Sequence, residues 1–284
     1  MAVQIIVDSG SDILPEEAAR LGVIHVPLTV AFGTTIYEDS VTLGHREFYE
    51  KLIESDVLPI TSQVPPARFE EACRGPIDRG DDVVIITVSS RLSGTCQSAM
   101  LASASFPEGR VTVVDSLNVT LGQRLLVLRA VSLRDSGLSA IEIAHRLDEE
   151  KHHIRLMALL DTLEYLRKGG RVSAVTGFVG GLLSIKPVVA VENGEVALIG
   201  KARGSRNGSN LLRELVVKCG GINFSMPYCL AYSGLSDALL QKYIEDSAEL
   251  WQGHTDHLPI ATVGCTIGTH VGPGAVAVAF FENT

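Results

Sequence analysis

The sequence predicts a two-domain α/β protein, with an N-terminal doubly wound parallel sheet over residues 1–153 and a C-terminal α+β domain over residues 154–284. In the first half, apolar runs alternate with amphipathic helical patterns, which is typical of a parallel sheet covered by helices on both faces. In the second half, strand candidates are separated by fewer helices. This pattern predicts a mixed or antiparallel sheet in the second domain.

The elements of the first domain follow from the periodicity of its apolar residues. Apolar runs predict strands at residues 5–7, 26–31, 83–88 and 111–114. Amphipathic patterns predict helices at residues 15–21, 45–55, 66–73, 123–132 and 138–150. The last of these places Ile143 and Leu147 on its apolar side and Glu142 and Arg146 outward, and we expect the domain boundary just after it.

The second domain is predicted from its strand candidates, which lie at residues 156–160, 188–191, 196–200, 228–233, 260–263 and 275–281. Asn193 and Gly194 separate the second and third candidates, and an Asn-Gly pair is a strong signal for a tight hairpin. We therefore expect at least one antiparallel pair in this domain.

The composition is that of an ordinary globular chain whose 284 residues can bury one large core or two smaller ones. A net charge of -9 argues against general nucleic-acid binding, which normally needs a basic surface. The five cysteines include no C-x-x-C pair, so the sequence indicates neither a disulfide framework nor a zinc site.

Targeting signals are not evident in the sequence. Residues 1–8 enter a short strand without the basic and long apolar regions of a signal peptide, and no apolar run is long enough to span a bilayer. We expect a cytoplasmic protein.

The strand at residues 83–88 runs into a hydroxyl-rich loop, and the following residues show a helical pattern. This order places Ser93, Gly94 and Thr95 at a helix N-terminus, where unpaired backbone N–H groups and the helix dipole can hold an anion. The alternative is that Ser93 or Thr95 is only an N-cap.

Two further segments have a similar character. Gly268, Thr269 and Gly272 surround His270 between two predicted strands, and we expect a glycine-rich loop that presents the imidazole to a ligand. His270 is equally compatible with a structural role. Thr61 and Ser62 lie in an extended segment that the following prolines hold in place.

Together, these segments resemble the DegV family, the fatty-acid-binding proteins that work with a bacterial fatty acid kinase. The resemblance covers nearly the whole chain and is carried by residues 7–12 (VDSGSD), 61–63 (TSQ), 92–99 (LSGTCQSA), 114–116 (VDS), 163–173 (LEYLRKGGRVS), 182–187 (LLSIKP) and the glycine-rich segment 268–274. It implies the same two-domain arrangement, with the ligand between the domains. It also implies an activity that feeds acyl phosphate into bacterial phospholipid synthesis.

A long-chain fatty acid needs an apolar slot for its tail and a few hydrogen-bond donors for its carboxylate. The hydroxyls of Thr61 and Ser93 and the Gly94 amide meet the second need, and the resemblance assigns Thr61, Ser93 and His270 to the carboxyl group. Residues supporting these positions are Ser62, Thr95, Gly268, Thr269 and Gly272. Candidates for the tail slot, which are equally compatible with core packing, are Leu28, Phe32, Phe178, Leu182 and Leu183.

Two basic segments stand out in this acidic chain, at residues 167–171 and 201–206. A charged run is usually just a solvated face. The resemblance instead places Arg171 and Arg203 toward the kinase. ATP and Mg²⁺ are expected to belong to that partner, because the chain has neither a P-loop nor a kinase glycine-rich loop. We expect no cofactor or metal, no nucleic-acid partner, and at most transient contact with a membrane surface.

Two other classes of function remain open from the sequence. A serine hydrolase would use Ser93 as nucleophile and His270 as base, with Asp115 or Asp8 orienting the histidine, although the chain has no G-x-S-x-G elbow. A nucleotide-binding module would suit the doubly wound first domain, but no G-x-G-x-x-G follows its strands. A non-enzymatic lipid carrier is the leading hypothesis.

Overall fold

The structure, a computed structural model, describes residues 2–171 and 185–283. In these ranges, strands β1 to β13 run over Val3–Asp8, Val23–Val26, Thr29–Phe32, Thr35–Glu38, Ile60–Ser62, Asp82–Thr87, Val111–Asp115, Ile154–Leu159, Ile185–Glu192, Glu195–Arg203, Tyr228–Tyr232, Ile260–Thr262 and Val276–Phe281. Helices α1 to α10 run over Pro15–Arg20, His45–Glu54, Pro66–Asp78, Thr95–Ser103, Thr120–Asp135, Ala140–Glu150, Glu164–Lys168, Ser205–Lys218, Ala238–Asp246 and Cys265–Val271. Across this part of the chain, no helix is both long and apolar enough to cross a membrane.

The first half of the chain builds a four-stranded parallel sheet in the order β2-β1-β6-β7. Ile6 and Ile85 face α3 and α4, whereas Ile5 and Val84 face α5 and α6. Both faces of the central strands are therefore buried, as their uninterrupted apolar runs require. The prediction of a doubly wound parallel sheet is confirmed.

The six strands after residue 153 form one mixed sheet in the order β10-β9-β8-β13-β11-β12, in which only β11 and β12 are parallel. Asn193 and Gly194 join β9 to β10 with positive φ angles of 51° and 85°, the geometry that favours an Asn-Gly pair in a tight hairpin. The predicted mixed sheet and the predicted hairpin are both confirmed.

Helix α5 lies between the two sheets. Its buried residues pack on β1 and β6 of the parallel sheet and on β8, β11 and β13 of the mixed sheet. The opposite face of the mixed sheet is covered by α8 and α9. The two halves of the chain consequently share one apolar core along α5.

A three-stranded antiparallel sheet in the order β4-β3-β5 was not predicted. The apolar run 26–31 was expected to be one strand of the parallel sheet, and this was wrong. Pro27 divides it into the end of β2 and the separate strand β3, because proline has no N–H to donate to a sheet ladder. Residues 60–62, expected as an extended loop, form β5 of the small sheet.

Candidate functional site

A cavity of about 360 Å³ is lined by residues from both halves of the chain. It brings together Thr61, the adjacent pair Ser93 and Gly94, and His270, which come from three widely separated parts of the sequence. Its other polar lining residues are Ser62, Gln63, Arg171 and Thr266.

Thr61 and His270 meet in a direct hydrogen bond. Thr61 lies on β5, and its Oγ1 is 3.1 Å from Nε2 of His270 on α10. Burial, together with the nearby Arg171 guanidinium, lowers the pKa of His270 to about 4. The imidazole is therefore neutral near pH 7, with one ring nitrogen as donor and the other as acceptor.

The packing around His270 leaves its other ring nitrogen without a partner. Within the described ranges, Nδ1 of His270 is buried and makes no hydrogen bond. Gly169 lies against this nitrogen so closely that a Cβ at residue 169 would overlap it. A glycine is therefore needed beside the imidazole.

Ser93 and Gly94 stand at the start of α4, as the sequence predicts. The Ser93 Oγ accepts a 3.2 Å hydrogen bond from the Thr95 N–H and lies 2.9 Å from Thr95 Oγ1. Gly94 occupies the N-cap position, and a Cβ there would overlap the side-chain amide of Gln63. This close contact brings the segment after β5 against the start of α4, and so brings Thr61 near Ser93.

Arg171 contributes positive charge to the cavity wall. Its guanidinium donates hydrogen bonds to the backbone oxygens of Gly169, at 2.7 Å, and Leu92, at 3.3 Å. No carboxylate of the described residues forms an ion pair with it. Arg171 can therefore offer charge to an anion in the cavity.

A smaller, apolar cavity adjoins the first. A second cavity of about 60 Å³ shares five lining residues with the first, namely Val119, Leu166, Val196, Ile267 and Val271. The rest of its lining is apolar apart from Thr120 and includes Ala158 and Ala277 of the mixed sheet. The two adjoining cavities thus differ in character, since the polar groups line the larger one and the smaller one is almost wholly apolar.

Several predicted residues lie elsewhere. Leu28 lines the cavity, but Phe32 packs against Phe48 with ring centroids 6.0 Å apart and is not among the lining residues. Arg203 is exposed at the end of β10 and does not line the cavity. The predicted tail residues Phe178, Leu182 and Leu183 lie outside the described residues.

The expected loop around His270 is instead the helix α10. Gly268 faces Phe48 and Tyr49, Thr269 donates to the Cys265 oxygen, and Gly272 packs against Tyr165 after the helix ends. None of these three lines the cavity. Gly268 and Thr269 lie on other sides of α10 than Ile267 and His270, because successive helical residues point in different directions. The buried Thr95 hydroxyl likewise accepts from the Val64 N–H outside the cavity lining.

Three lining residues of α10 were not anticipated, and the sequence held a signal for two of them. Ile267 and Val271 lie three residues before and one after His270, a helical spacing that puts an apolar stripe beside the imidazole. Thr266, the third, has a buried hydroxyl with no partner in the described part of the chain.

The geometry does not form the catalytic triad of a hydrolase. Ser93 Oγ pairs with Thr95 and His270 Nε2 with Thr61, and no hydrogen bond joins Ser93 to His270. Asp115 accepts from the backbone of Ser90 and Leu117, and Asp8 accepts from that of Gly10 and Val88. Neither carboxylate orients the imidazole, as a triad requires.

Comparison with known proteins identifies the family. A family model described as an uncharacterised protein of the DegV family matches residues 2–283. The chain belongs to the DegV family. A DegV domain-containing protein of Deinococcus radiodurans is 36% identical over 283 residues, which cover 98% of each chain.

Solved structures of DegV-family proteins share the fold. A DegV-family protein from Thermus thermophilus, described by its fatty acid binding, has a TM-score of 0.89 and 31% identity, with each chain covered completely. DegV from Bacillus subtilis, described as a fatty acid binding protein, has a TM-score of 0.83 and 28% identity over 98% of each chain. A stearic-acid-binding protein from Eubacterium ventriosum has a TM-score of 0.85 and 25% identity, covering 98% of this DegV-family chain and 97% of its own.

Proposed function

We propose that this protein is a lipid carrier that buries the tail of a long-chain fatty acid and holds its carboxyl group at Thr61, Ser93, Gly94 and His270. The observation that carries the proposal is the cavity with polar groups in its wall next to a second, apolar cavity that shares five of its lining residues. Fatty acids are also what the Thermus and Bacillus relatives are described as binding. An amphipathic ligand of this kind satisfies both ends of the cavity.

The head-group assignment rests on the donors that face the polar end. A carboxylate accepts hydrogen bonds only, and it is costly to bury unless it receives them. The hydroxyls of Thr61 and Ser93 and the N–H of Gly94 are such donors, and the last also lies at the positive end of the α4 dipole. Because His270 is neutral, Arg171 supplies the side-chain charge that balances the carboxylate.

Most of the affinity comes from the tail. Roughly fourteen methylenes at about 0.8 kcal/mol each contribute on the order of 11 kcal/mol, before the costs of association are subtracted. The apolar extension next to Val119 and Ile267 offers the surface against which such a tail is buried. The polar end then sets the orientation of the ligand.

The carried fatty acid is proposed to be phosphorylated by a separate fatty acid kinase, which supplies ATP and Mg²⁺ and forms an acyl phosphate for phospholipid synthesis. The position of Arg171 in the cavity wall supports this step, because a guanidinium beside the carboxyl group can neutralise charge on a transferring phosphoryl group. Arg203 is exposed and free of cavity contacts, which suits a residue that meets the kinase.

The first experiment identifies the natural ligand. Protein purified under native conditions from a bacterial host is denatured and extracted with solvent, and the released lipids are measured by mass spectrometry. A near-stoichiometric fatty acid is expected. Protein that releases no lipid and also takes up no added fatty acid would contradict the carrier function.

The second experiment removes the head-group hydroxyls. The Thr61→Ala/Ser93→Ala double variant is expected to bind fatty acid at least about tenfold more weakly, because two hydrogen bonds to a charged group are lost. Affinity is measured by titration of delipidated protein. The matched control is Thr34→Ala/Ser105→Ala, which removes one hydroxyl of each kind from exposed positions outside the cavity. Equal affinities for the two double variants would refute the head-group assignment.

A further inference from the structure

Asp39 is a buried carboxylate that the proposed binding site does not use directly. It follows β4, has no exposed surface, and accepts hydrogen bonds at both oxygens. Oδ1 receives the N–H of Cys265 at 3.1 Å and the hydroxyl of Ser40 at 3.1 Å. Oδ2 receives the N–H of Thr266 at 3.0 Å and the hydroxyl of Ser9 at 3.2 Å. A carboxylate with this set of donors is fixed in orientation.

Two of these donors belong to the first turn of α10. The first N–H groups of a helix have no partner within the helix, so an acceptor from elsewhere must satisfy them when they are buried. Asp39 accepts from two successive N–H groups, one at each oxygen. Such a bidentate contact restricts both the position of α10 along its axis and its rotation about that axis.

The small antiparallel sheet connects Asp39 to Thr61. Asp39 donates its backbone N–H to the oxygen of Leu28 at 3.0 Å, just before β3. Strand β3 pairs with β4 on one side and with β5 on the other, where Val30 faces Thr61. The sheet therefore contacts α10 twice, through Asp39 at its first turn and through Thr61 at His270.

The two contacts are separated by about one helical turn. Thr266 and His270 are four residues apart, which corresponds to roughly 6 Å along a helix. A small shift or rotation of the first turn would therefore move the imidazole away from Thr61.

We propose that Asp39 is a positioning residue for head-group binding. It holds the first turn of α10 and thereby sets the contact between Thr61 and His270. This role rests on the proposed binding of a fatty acid carboxyl group at that contact. It is a role in ligand binding beyond the general support of the fold.

The test is a double-mutant cycle on fatty-acid affinity. Asp39→Asn keeps the size of the side chain but replaces one acceptor oxygen by an NH₂ group, which cannot accept from a helix N–H. We expect delipidated Asp39→Asn to bind oleate about tenfold more weakly than wild type. In the Thr61→Ala background the same change is expected to weaken binding less than about twofold, because the contact that Asp39 positions is already absent.

A control separates positioning from loss of stability. Leu240→Ala opens the core on the far side of the mixed sheet, and we expect it to lower the melting temperature while leaving oleate affinity unchanged.

If Asp39→Asn does not fold, Ser40→Ala replaces it. That variant removes one donor to Oδ1, and its smaller loss of affinity should also disappear in the Thr61→Ala background.

The outcomes distinguish this role from the proposed function itself. Wild-type protein that fails to bind oleate would remove the proposed function and this role together. If wild-type protein binds oleate and Asp39→Asn binds it with the same affinity, only the positioning role would be overturned. An equal loss from Asp39→Asn in both backgrounds would overturn it as well.

Discussion

His270 is neutral near pH 7 in the unliganded cavity, and its neighbours determine which hydrogen bonds it can make. Burial disfavours the imidazolium ion, and the nearby Arg171 disfavours it further, so the pKa of His270 is lowered. Nε2 meets Thr61, while Nδ1 faces Gly169. If a carboxylate binds here as proposed, its positive counter-charge comes from Arg171, and the imidazole orients the head group through a hydrogen bond.

Gly169 provides a test of this imidazole position. Its φ of -76° is available to alanine, so Gly169→Ala introduces no backbone strain, but the added Cβ overlaps Nδ1 of His270. We expect the imidazole to be displaced and fatty-acid affinity to fall about tenfold, with about 1–3 kcal/mol lost from the free energy of unfolding. Titration calorimetry and denaturant unfolding measure the two effects.

Gly44→Ala is the matched control for this substitution. Gly44 has a φ of -75°, and an alanine Cβ at this position would have no heavy atom within 4 Å, so the same chemical change meets open space. Affinity that stays at the wild-type value in Gly169→Ala would show that binding tolerates a displaced imidazole.

At the scale of elements, the sequence predicts a strand or helix best where its pattern of apolar residues matches the burial of that element in the fold. The centres of β1, at residues 5–7, and β6, at residues 83–86, are apolar because both faces of these strands are buried, and both strands were predicted to within two residues at each end. The boundary between β2 and β3 was missed although Pro27 marks it. A prediction from the periodicity of apolar residues gives little weight to a single proline, although one proline can end a strand.

Helix α10 shows why part of the site could not be predicted. Its glycines indicate a loop, yet Gly268 is required because Phe48 and Tyr49 of α2 leave no room for a side chain. Asp39 holds its first turn and Asp12 holds Gly264 just before it, and both carboxyl groups lie more than 200 residues away in sequence. Thr61, Ser93, Gly94 and His270, which the sequence analysis assigned to a carboxyl group, nevertheless line one cavity. Their hydroxyl, amide and imidazole groups could be recognised in the sequence without knowing their secondary structure.

The attachment of α10 should also make the stability of the fold depend on pH. Asp12 accepts the Gly264 N–H, and burial, with a contribution from the charge of Asp39, raises the pKa of Asp12 to about 8. The folded state thus retains a proton that the unfolded chain loses near pH 4. The contribution of Asp12 to the free energy of unfolding is therefore fully present below about pH 4 and is lost as the pH rises toward 8.

Asp12→Asn tests this dependence because the amide resembles the protonated acid. We expect the variant to gain stability relative to wild type as the pH rises from 5 to 8, by about 1–4 kcal/mol in the free energy of unfolding. Urea unfolding at several pH values measures the difference, and Asp78→Asn, an exposed carboxylate, is the control. A constant difference across this range would show that Asp12 is already ionised in the folded protein at pH 5.

At the scale of the whole molecule, α5 couples the two sheets. Its apolar residues belong to the same cluster as residues of both sheets, and the cavity is likewise lined from both halves of the chain. Neither half can lose its packing on α5 without exposing the core of the other. We therefore expect the chain to unfold cooperatively despite its two sheets.

Trp251 allows this cooperativity to be measured, because it is the single tryptophan and lies in the core on the far side of the mixed sheet. Its fluorescence and the far-UV circular dichroism of the whole chain are expected to report one melting temperature for delipidated protein. Oleate at about one hundred times its Kd should raise both transitions together by about 5 °C, since binding then adds about 2.7 kcal/mol. A fluorescence transition that separates from the dichroism, or that oleate leaves in place, would mean that the core on the far side of the mixed sheet unfolds independently of the ligand cavity.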